Sequence, residues 1–205
     1  MKAERITLHS VLDNKKHLDY ICHLVKSESV FVYPTDTIYG IGGCADSDSV
    51  KSRILEIKGR FAGNPMIHIA SDLKYFKHYD IRFSSIALKI VDQFWPGLLT
   101  LVLHSDSNPQ GVAIRISDHP FIKAVNTITA TPLFSTSANI SNEKYNPDPD
   151  FIYKTFSDSV DFMIDAGLLP LSEPSTVIKI SERDEITILR EGVVSREKLE
   201  SVMGL

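Results

Sequence analysis

The chain has 205 residues, 43% of them hydrophobic and 23% charged, which excludes a fibrous or disordered protein and leaves enough apolar material for a sizeable core in a single domain spanning 1–205. No apolar run is long enough for a membrane span, and Met1-Lys2-Ala3-Glu4-Arg5 leads into no signal-peptide core, so a cytoplasmic location is expected. A net charge of −4 excludes a uniformly basic surface, although ATP or RNA needs only a local basic groove.

Leu18, Ile21, Leu24 and Val25 fall on one face of a first helix. Cys22 within it and Cys44 beyond it fit no zinc or redox spacing and read as packing thiols in a reduced compartment. A strand over Ser29–Tyr33 then breaks into hydroxyls and glycines, Pro34-Thr35-Asp36-Thr37-Ile38-Tyr39-Gly40-Ile41-Gly42-Gly43. Polar strand ends of this kind are where α/β proteins bind ligands, but the segment also suits a turn whose Thr35 and Asp36 only bond neighbouring backbone. Its glycines lack the G-x-G-x-x-G spacing of a dinucleotide fingerprint.

Val50, Ile54 and Ile57 predict a helix over Asp46–Lys58. Lys58 and Arg60 at its end suit either the helix dipole or two fixed charges for an anion. Gly59 frees the backbone, and Gly63-Asn64-Pro65 leads into a strand over Met66–Ala70, so that Arg60, Asn64 and His68 follow one path away from the helix. His68, set in an apolar strand, reads by itself as a core histidine. Ile86, Ile90, Val91 and Phe94 form the face of the next helix.

Strands follow at Leu98–Leu103 and Val112–Ile116, the second carrying Arg115 among apolar residues. An unpaired buried guanidinium is too costly, so Arg115 must meet an anion, either an acidic side chain of the protein or a ligand carboxylate or phosphate. The strand Leu133–Thr136 runs into Ser135-Thr136-Ser137-Ala138-Asn139, a cluster of hydroxyls with an amide. Asn142–Pro149, polar and rich in proline, is predicted as a mobile loop beside a site. Thr176–Ile180 and Ile186–Arg190 read as a hairpin, with Ser175 and Arg190 at strand boundaries. Strands alternating with helices predict an α/β fold, and the hairpin makes its sheet mixed.

In their order, Pro34-Thr35-Asp36-Thr37-Ile38-Tyr39-Gly40, Lys58-Gly59-Arg60, Asn64-Pro65, Trp95-Pro96-Gly97 with Thr100, Ala113-Ile114-Arg115, Ser135-Thr136-Ser137-Ala138-Asn139, Pro174-Ser175-Thr176-Val177 and Leu189-Arg190-Glu191-Gly192 resemble the YrdC/Sua5/TsaC family. The resemblance covers roughly residues 20–200. It implies a YrdC-like twisted mixed sheet flanked by helices, with a basic concave cleft. It also implies synthesis of threonylcarbamoyl-AMP and pyrophosphate from L-threonine, bicarbonate and ATP, with magnesium but no resident metal site. The product would serve threonylcarbamoyladenosine modification of tRNA, through the tRNA threonylcarbamoyl-transferase proteins, with direct tRNA binding left open. By resemblance, Thr37, His68, Arg115, Ser135 and Ser175 belong to the threonine side. Lys58, Arg60, Asn64, Ser137, Asn139, Tyr145 and Arg190 belong to the ATP side, with Lys58, Arg60, Ser137 and Asn139 at the reacting phosphates.

The chain departs from the family at Phe61, where proline is common, and at Asn142, where glycine follows the serine. Ending at Leu205, it resembles the single-domain form. Two other readings use the same residues: a double-stranded RNA or tRNA-binding module of this fold without adenylate chemistry, and a carbamoyl-adenylate domain like that of hydrogenase-maturation proteins. The second should sit in a longer chain with zinc-finger and acylphosphatase parts.

Overall fold

The computed structural model describes residues 2–59, 66–141, 143–170 and 173–203. Along the chain these form β1 (Glu4–Thr7), α1 (Leu8–Asp13), α2 (Lys15–Lys26), β2 (Phe31–Tyr33), β3 (Gly40–Gly42), α3 (Asp48–Ile57), β4 (Ile67–Ala70), a 3-10 helix (Leu73–Tyr79), α4 (Ser85–Phe94) and β5 (Leu99–Ser105). They continue as β6 (Asn108–Ile116), α5 (Pro120–Thr129), β7 (Leu133–Ser137), α6 (Pro149–Phe156), β8 (Phe162–Asp165), β9 (Thr176–Ile180), β10 (Ile186–Arg190) and α7 (Arg196–Met203). The strands make one ten-stranded sheet in the order β1-β8-β2-β3-β7-β4-β6-β5-β9-β10. It is mixed, as expected: β4 runs parallel to β6 and β5 to β9, while β9 and β10 form the antiparallel hairpin.

Helix boundaries follow local chemistry. α3 starts at Asp48 because Ser47, in extended backbone, accepts a hydrogen bond from the Val50 N–H and serves as N-cap. Asp46, predicted as helical, lies outside the helix and instead accepts hydrogen bonds from Tyr79 and His78. Lys58 closes the helix as its C-cap, and Gly59 follows at φ +57°, the left-handed conformation that favours glycine.

Alternation along the strands sorts side chains onto two faces. Phe31, Tyr33, Ile69 and Leu133 pack under α1, α2 and α5 through Val11, Ile21, Cys22, Val25, Phe121, Ile122 and Val125. In this cluster the Phe31 and Phe162 rings stack 4.5 Å apart. Both cysteines are free thiols, with Cys22 buried in the same layer. On the opposite face α3 and α6 cover Val32, Ile41, Phe134 and Met163, while α4 and α7 cover Leu99, Leu101, Ile114 and Ile178.

β3, the glycine-containing stretch Gly40-Ile41-Gly42, lies in the middle of the sheet between β2 and β7. A Cβ on Gly42 would stand 1.8 Å from the Phe134 carbonyl oxygen, so the neighbouring backbone leaves room for glycine alone. Gly42→Ala is therefore expected to lower stability by about 3 kcal/mol or more, a fall in Tm on the order of 5–10 °C. Thermal unfolding checks it, and an unchanged Tm would show that β3 does not approach β7 this closely.

Candidate functional site

The turn between β2 and β3 is organised by Thr35. Its hydroxyl accepts from the Thr37 and Ile38 N–H groups at 3.2 and 3.3 Å and donates to the Ile38 carbonyl at 2.7 Å. Thr35 thus bonds neighbouring backbone, as a simple turn would, but Asp36 does not. Asp36 and Thr37 face Arg115 on β6, whose Nη2 lies 2.6 Å from Asp36 Oδ1 and whose Nη1 donates to Thr37 Oγ1 at 3.3 Å. Of the two anions left open for Arg115 by the sequence, the structure contains the protein's own carboxylate.

Arg115 is 4% exposed, and its Nε has no hydrogen-bond partner among the described residues. Burial lowers its pKa, with the Asp36 charge opposing that shift. Asp36 keeps 19% of its side chain exposed, and its contact with the buried guanidinium holds the β2–β3 turn against β6.

The two polar strings singled out in the sequence meet directly. Lys58, at the end of α3, donates from Nζ to the Ser137 carbonyl at 2.9 Å, to the Asn139 carbonyl, and to Asn139 Oδ1 at 3.1 Å. The Ser137 hydroxyl donates to the same Oδ1 at 2.5 Å. At the sheet's other end Arg190 donates from Nε and Nη2 to the Ser175 carbonyl at 3.1 and 2.8 Å, and from Nη2 to Ser175 Oγ at 3.2 Å. Ser175 Oγ also lies 2.9 Å from Thr100 Oγ1, a fully buried hydroxyl on β5. Burial and the nearby Arg115 charge both lower the Arg190 pKa.

These groups surround one cavity of about 360 Å³, a size typical of small-molecule sites. Thr37, Lys58, Arg115, Ser135, Ser137, Ser175 and Arg190 all line it, over an apolar floor that includes Ile67, Val102, Ala113 and Val177. Asn139 borders it through Lys58. Tyr145 stands further back, packed under α3 and α6 with its hydroxyl accepting from the Tyr39 N–H at 3.0 Å. That contact ties the predicted loop to a residue of the cavity wall, although Asn142 lies outside the described residues. Arg60, Asn64 and Phe61 also lie outside them.

His68 differs from the other residues expected on the threonine side: it does not line this cavity. On β4 it pairs with Ile114 and Phe134, whereas the adjacent Ile67, which lines the cavity, pairs with Ala113 and Ser135. Successive strand residues point to opposite faces, so His68 is turned away from Ile67, Ala113 and Ser135 on the cavity side. Its ring packs against Phe134 and Tyr79 at 4.9 and 5.1 Å, and its Nδ1 donates to the Ala113 carbonyl at 3.2 Å. These contacts are those of a partly buried strand histidine packed among aromatic rings. Sequence reasoning also gave no site role to Thr100, and read Asp36 only as a turn residue bonding neighbouring backbone. A search for the carboxylate demanded by Arg115 would have reached Asp36, but a lone threonine in a strand carries no comparable signal.

Burial holds the His68 pKa down, to about 4 from 6.5. The folded state thus binds fewer protons than the unfolded chain, and this contribution to stability is whole above about pH 6.5 and is lost as pH falls towards 4. His68→Phe, which keeps the ring packing, is expected to flatten the acid slope of stability in that window. Urea unfolding from pH 7 to 4 measures it, and equal slopes in variant and parent would refute a neutral buried His68.

A family model for the Sua5, YciO and YrdC proteins, described as telomere recombination, matches residues 23–192. A protein of Methanocaldococcus jannaschii, named provisionally as a threonylcarbamoyl-AMP synthase, is 35% identical over 193 residues, or 91% of each chain. A threonylcarbamoyl-AMP synthase of Pyrococcus abyssi is 32% identical over 192 residues; the match covers 88% of this chain and 55% of that protein. The crystal structure of Pyrococcus abyssi Sua5 complexed with L-threonine superposes with a TM-score of 0.87 at 26% identity, covering 100% of this chain and 61% of that one. A family match over most of the sequence, on a fold shared along its whole length, makes this chain a member of the family that holds Sua5, YciO and YrdC.

Proposed function

We propose that the chain is a threonylcarbamoyl-AMP synthase, forming the mixed anhydride and pyrophosphate from L-threonine, bicarbonate and ATP. The observation that carries this reading is the cavity wall: Lys58, Arg115 and Arg190 are its charged lining residues among those described, and the one carboxylate in contact with them among the hydrogen bonds described, Asp36, sits behind Arg115 and does not itself line the cavity. The reaction must bring together a threonine carbamate and a triphosphate, which repel each other in water. A carbamate oxygen attacks the α-phosphorus as pyrophosphate leaves, with no protein nucleophile required. Positioning and charge stabilisation then carry the catalysis.

Within this reading Arg115, Thr37, Ser135 and Ser175 hold threonine, and Arg115 is the partner of its carboxylate. Lys58, Ser137, Asn139 and Arg190 serve the nucleotide, with Arg60, Asn64 and Tyr145 assigned there by resemblance. Magnesium would arrive with the triphosphate, whose oxygens and water supply most of its shell. No group of three His, Cys, Asp or Glu suited to a metal stands among the described residues. The product would pass to the tRNA threonylcarbamoyl-transferase proteins for tRNA modification. The proposal includes a nucleotidyltransferase class, a single domain over 1–205 and a cytoplasmic location. None of the described helices is long and apolar enough to cross a membrane. An RNA-binding module is less well supported, because the threonine-side residues Thr37, Arg115 and Ser175 converge on a cavity of ligand size.

Pyrophosphate release from ATP is expected only when threonine and bicarbonate are both present. Release that persists without either one would overturn the reaction. Valine is expected to support release on the order of a hundredfold or more less well than threonine, because a site that pairs the side-chain hydroxyl leaves a polar group unpaired when a methyl replaces it. Comparing kcat/KM for the two amino acids decides the point, and equal values would remove the threonine pocket.

A further inference from the structure

Lys58 is 4% exposed, and its ammonium lies among oxygens of one turn: the Ser137 and Asn139 carbonyls and Asn139 Oδ1. An ammonium has three hydrogens to donate, and this turn offers three acceptors. The turn answers in kind, since the Ser141 hydroxyl donates to the Lys58 carbonyl at the end of α3. Two carbonyl dipoles aimed at one point repel each other unless a cation stands there. With those carbonyls fixed, the Asn139 side chain and the Ser137 hydroxyl bonded to it are oriented at the cavity wall.

We propose that Lys58 is a positioning residue: it acts by clamping the Ser137–Asn139 turn to the end of α3, and serves the nucleotide through that turn instead of by binding a phosphate itself. The inference rests on the reading of this cavity as the nucleotide site. It departs from the simplest use of a lysine beside a triphosphate, which is a direct charge contact.

Lys58→Met removes the charge at nearly constant volume. If Lys58 works through the turn, kcat falls on the order of tenfold or more, and Asn139→Ala added to Lys58→Met costs less than about twofold further. The dependence of ATP affinity on salt, followed by calorimetry, is then unchanged. If Lys58 instead grips a phosphate, the two substitutions multiply and the salt dependence weakens by one contact, which overturns the proposal. Amide hydrogen exchange across 137–141 in Lys58→Met, with no nucleotide present, separates this idea from the assigned reaction. Faster exchange at an otherwise native Tm supports the clamp even if no pyrophosphate is ever released, and unchanged exchange rejects it. Ser141→Ala, which keeps the lysine, covers the case in which Lys58→Met fails to fold: it is expected to speed exchange in the same segment, and unchanged exchange there also rejects the clamp.

Discussion

The burial of Arg115 near the C-terminal end of β6 is the constraint around which the site is built. Removing a guanidinium from water costs several kcal/mol, and the compensation on offer is one carboxylate and one hydroxyl from a single turn. That compensation is incomplete, since Nε stays unpartnered among the described residues and burial still lowers the pKa. The β2–β3 turn is held in the shape that brings Asp36 and Thr37 to the arginine, and Thr35 closes it from within. A protein built for stability alone would gain by replacing such a pair with packed apolar side chains, so its retention here fits a site that needs positive potential.

The other two cavity cations follow a different rule from those on the surface. Arg5 pairs with Asp150 and Asp165, and Arg53 with Asp161, so these two surface arginines are each matched by a carboxylate. Lys58 and Arg190 are held by backbone carbonyls and side-chain hydroxyl or amide oxygens. Carbonyl dipoles solvate a cation without cancelling its charge, whereas a carboxylate cancels it. A polar cradle therefore fixes the side chain without cancelling its charge. The fold can thus present positive potential locally while the whole chain carries −4.

Much of the fold was legible because its longer elements are strongly patterned. The face formed by Val50 and Ile54 located α3, and the β-branched runs located β9 and β10. The strands that escaped are short or unlike strands in composition. β3 contains two glycines because β7 approaches closely, a demand set by residues far away in the chain. At the site, residue type was legible and facing was not. His68 has suitable chemistry on a suitable strand, but a shift of one residue turns it to the other face, and only pairing register reveals that. Arg115 signalled through the cost of burying it, and Lys58 through its place at a helix end. Which oxygens each would meet depended on turns brought together by the sheet.

Arg115 and Arg190 differ in depth, and under the proposed reaction that difference would arrange the substrates. Arg115 lies at the buried end beside Asp36, where only a small anion that tolerates a neighbouring carboxylate can reach its remaining donors. Arg190 belongs to an edge strand and has an exposed side, which suits a bulkier and more highly charged group that must also depart. Ser175 is bonded to Arg190 and Thr100 and lines the same cavity as Arg115. An amino acid held deep and a triphosphate held shallow meet at one phosphorus, with pyrophosphate on the open side. In that arrangement pyrophosphate leaves outward while the nascent anhydride stays covered, which limits its exposure to water before transfer.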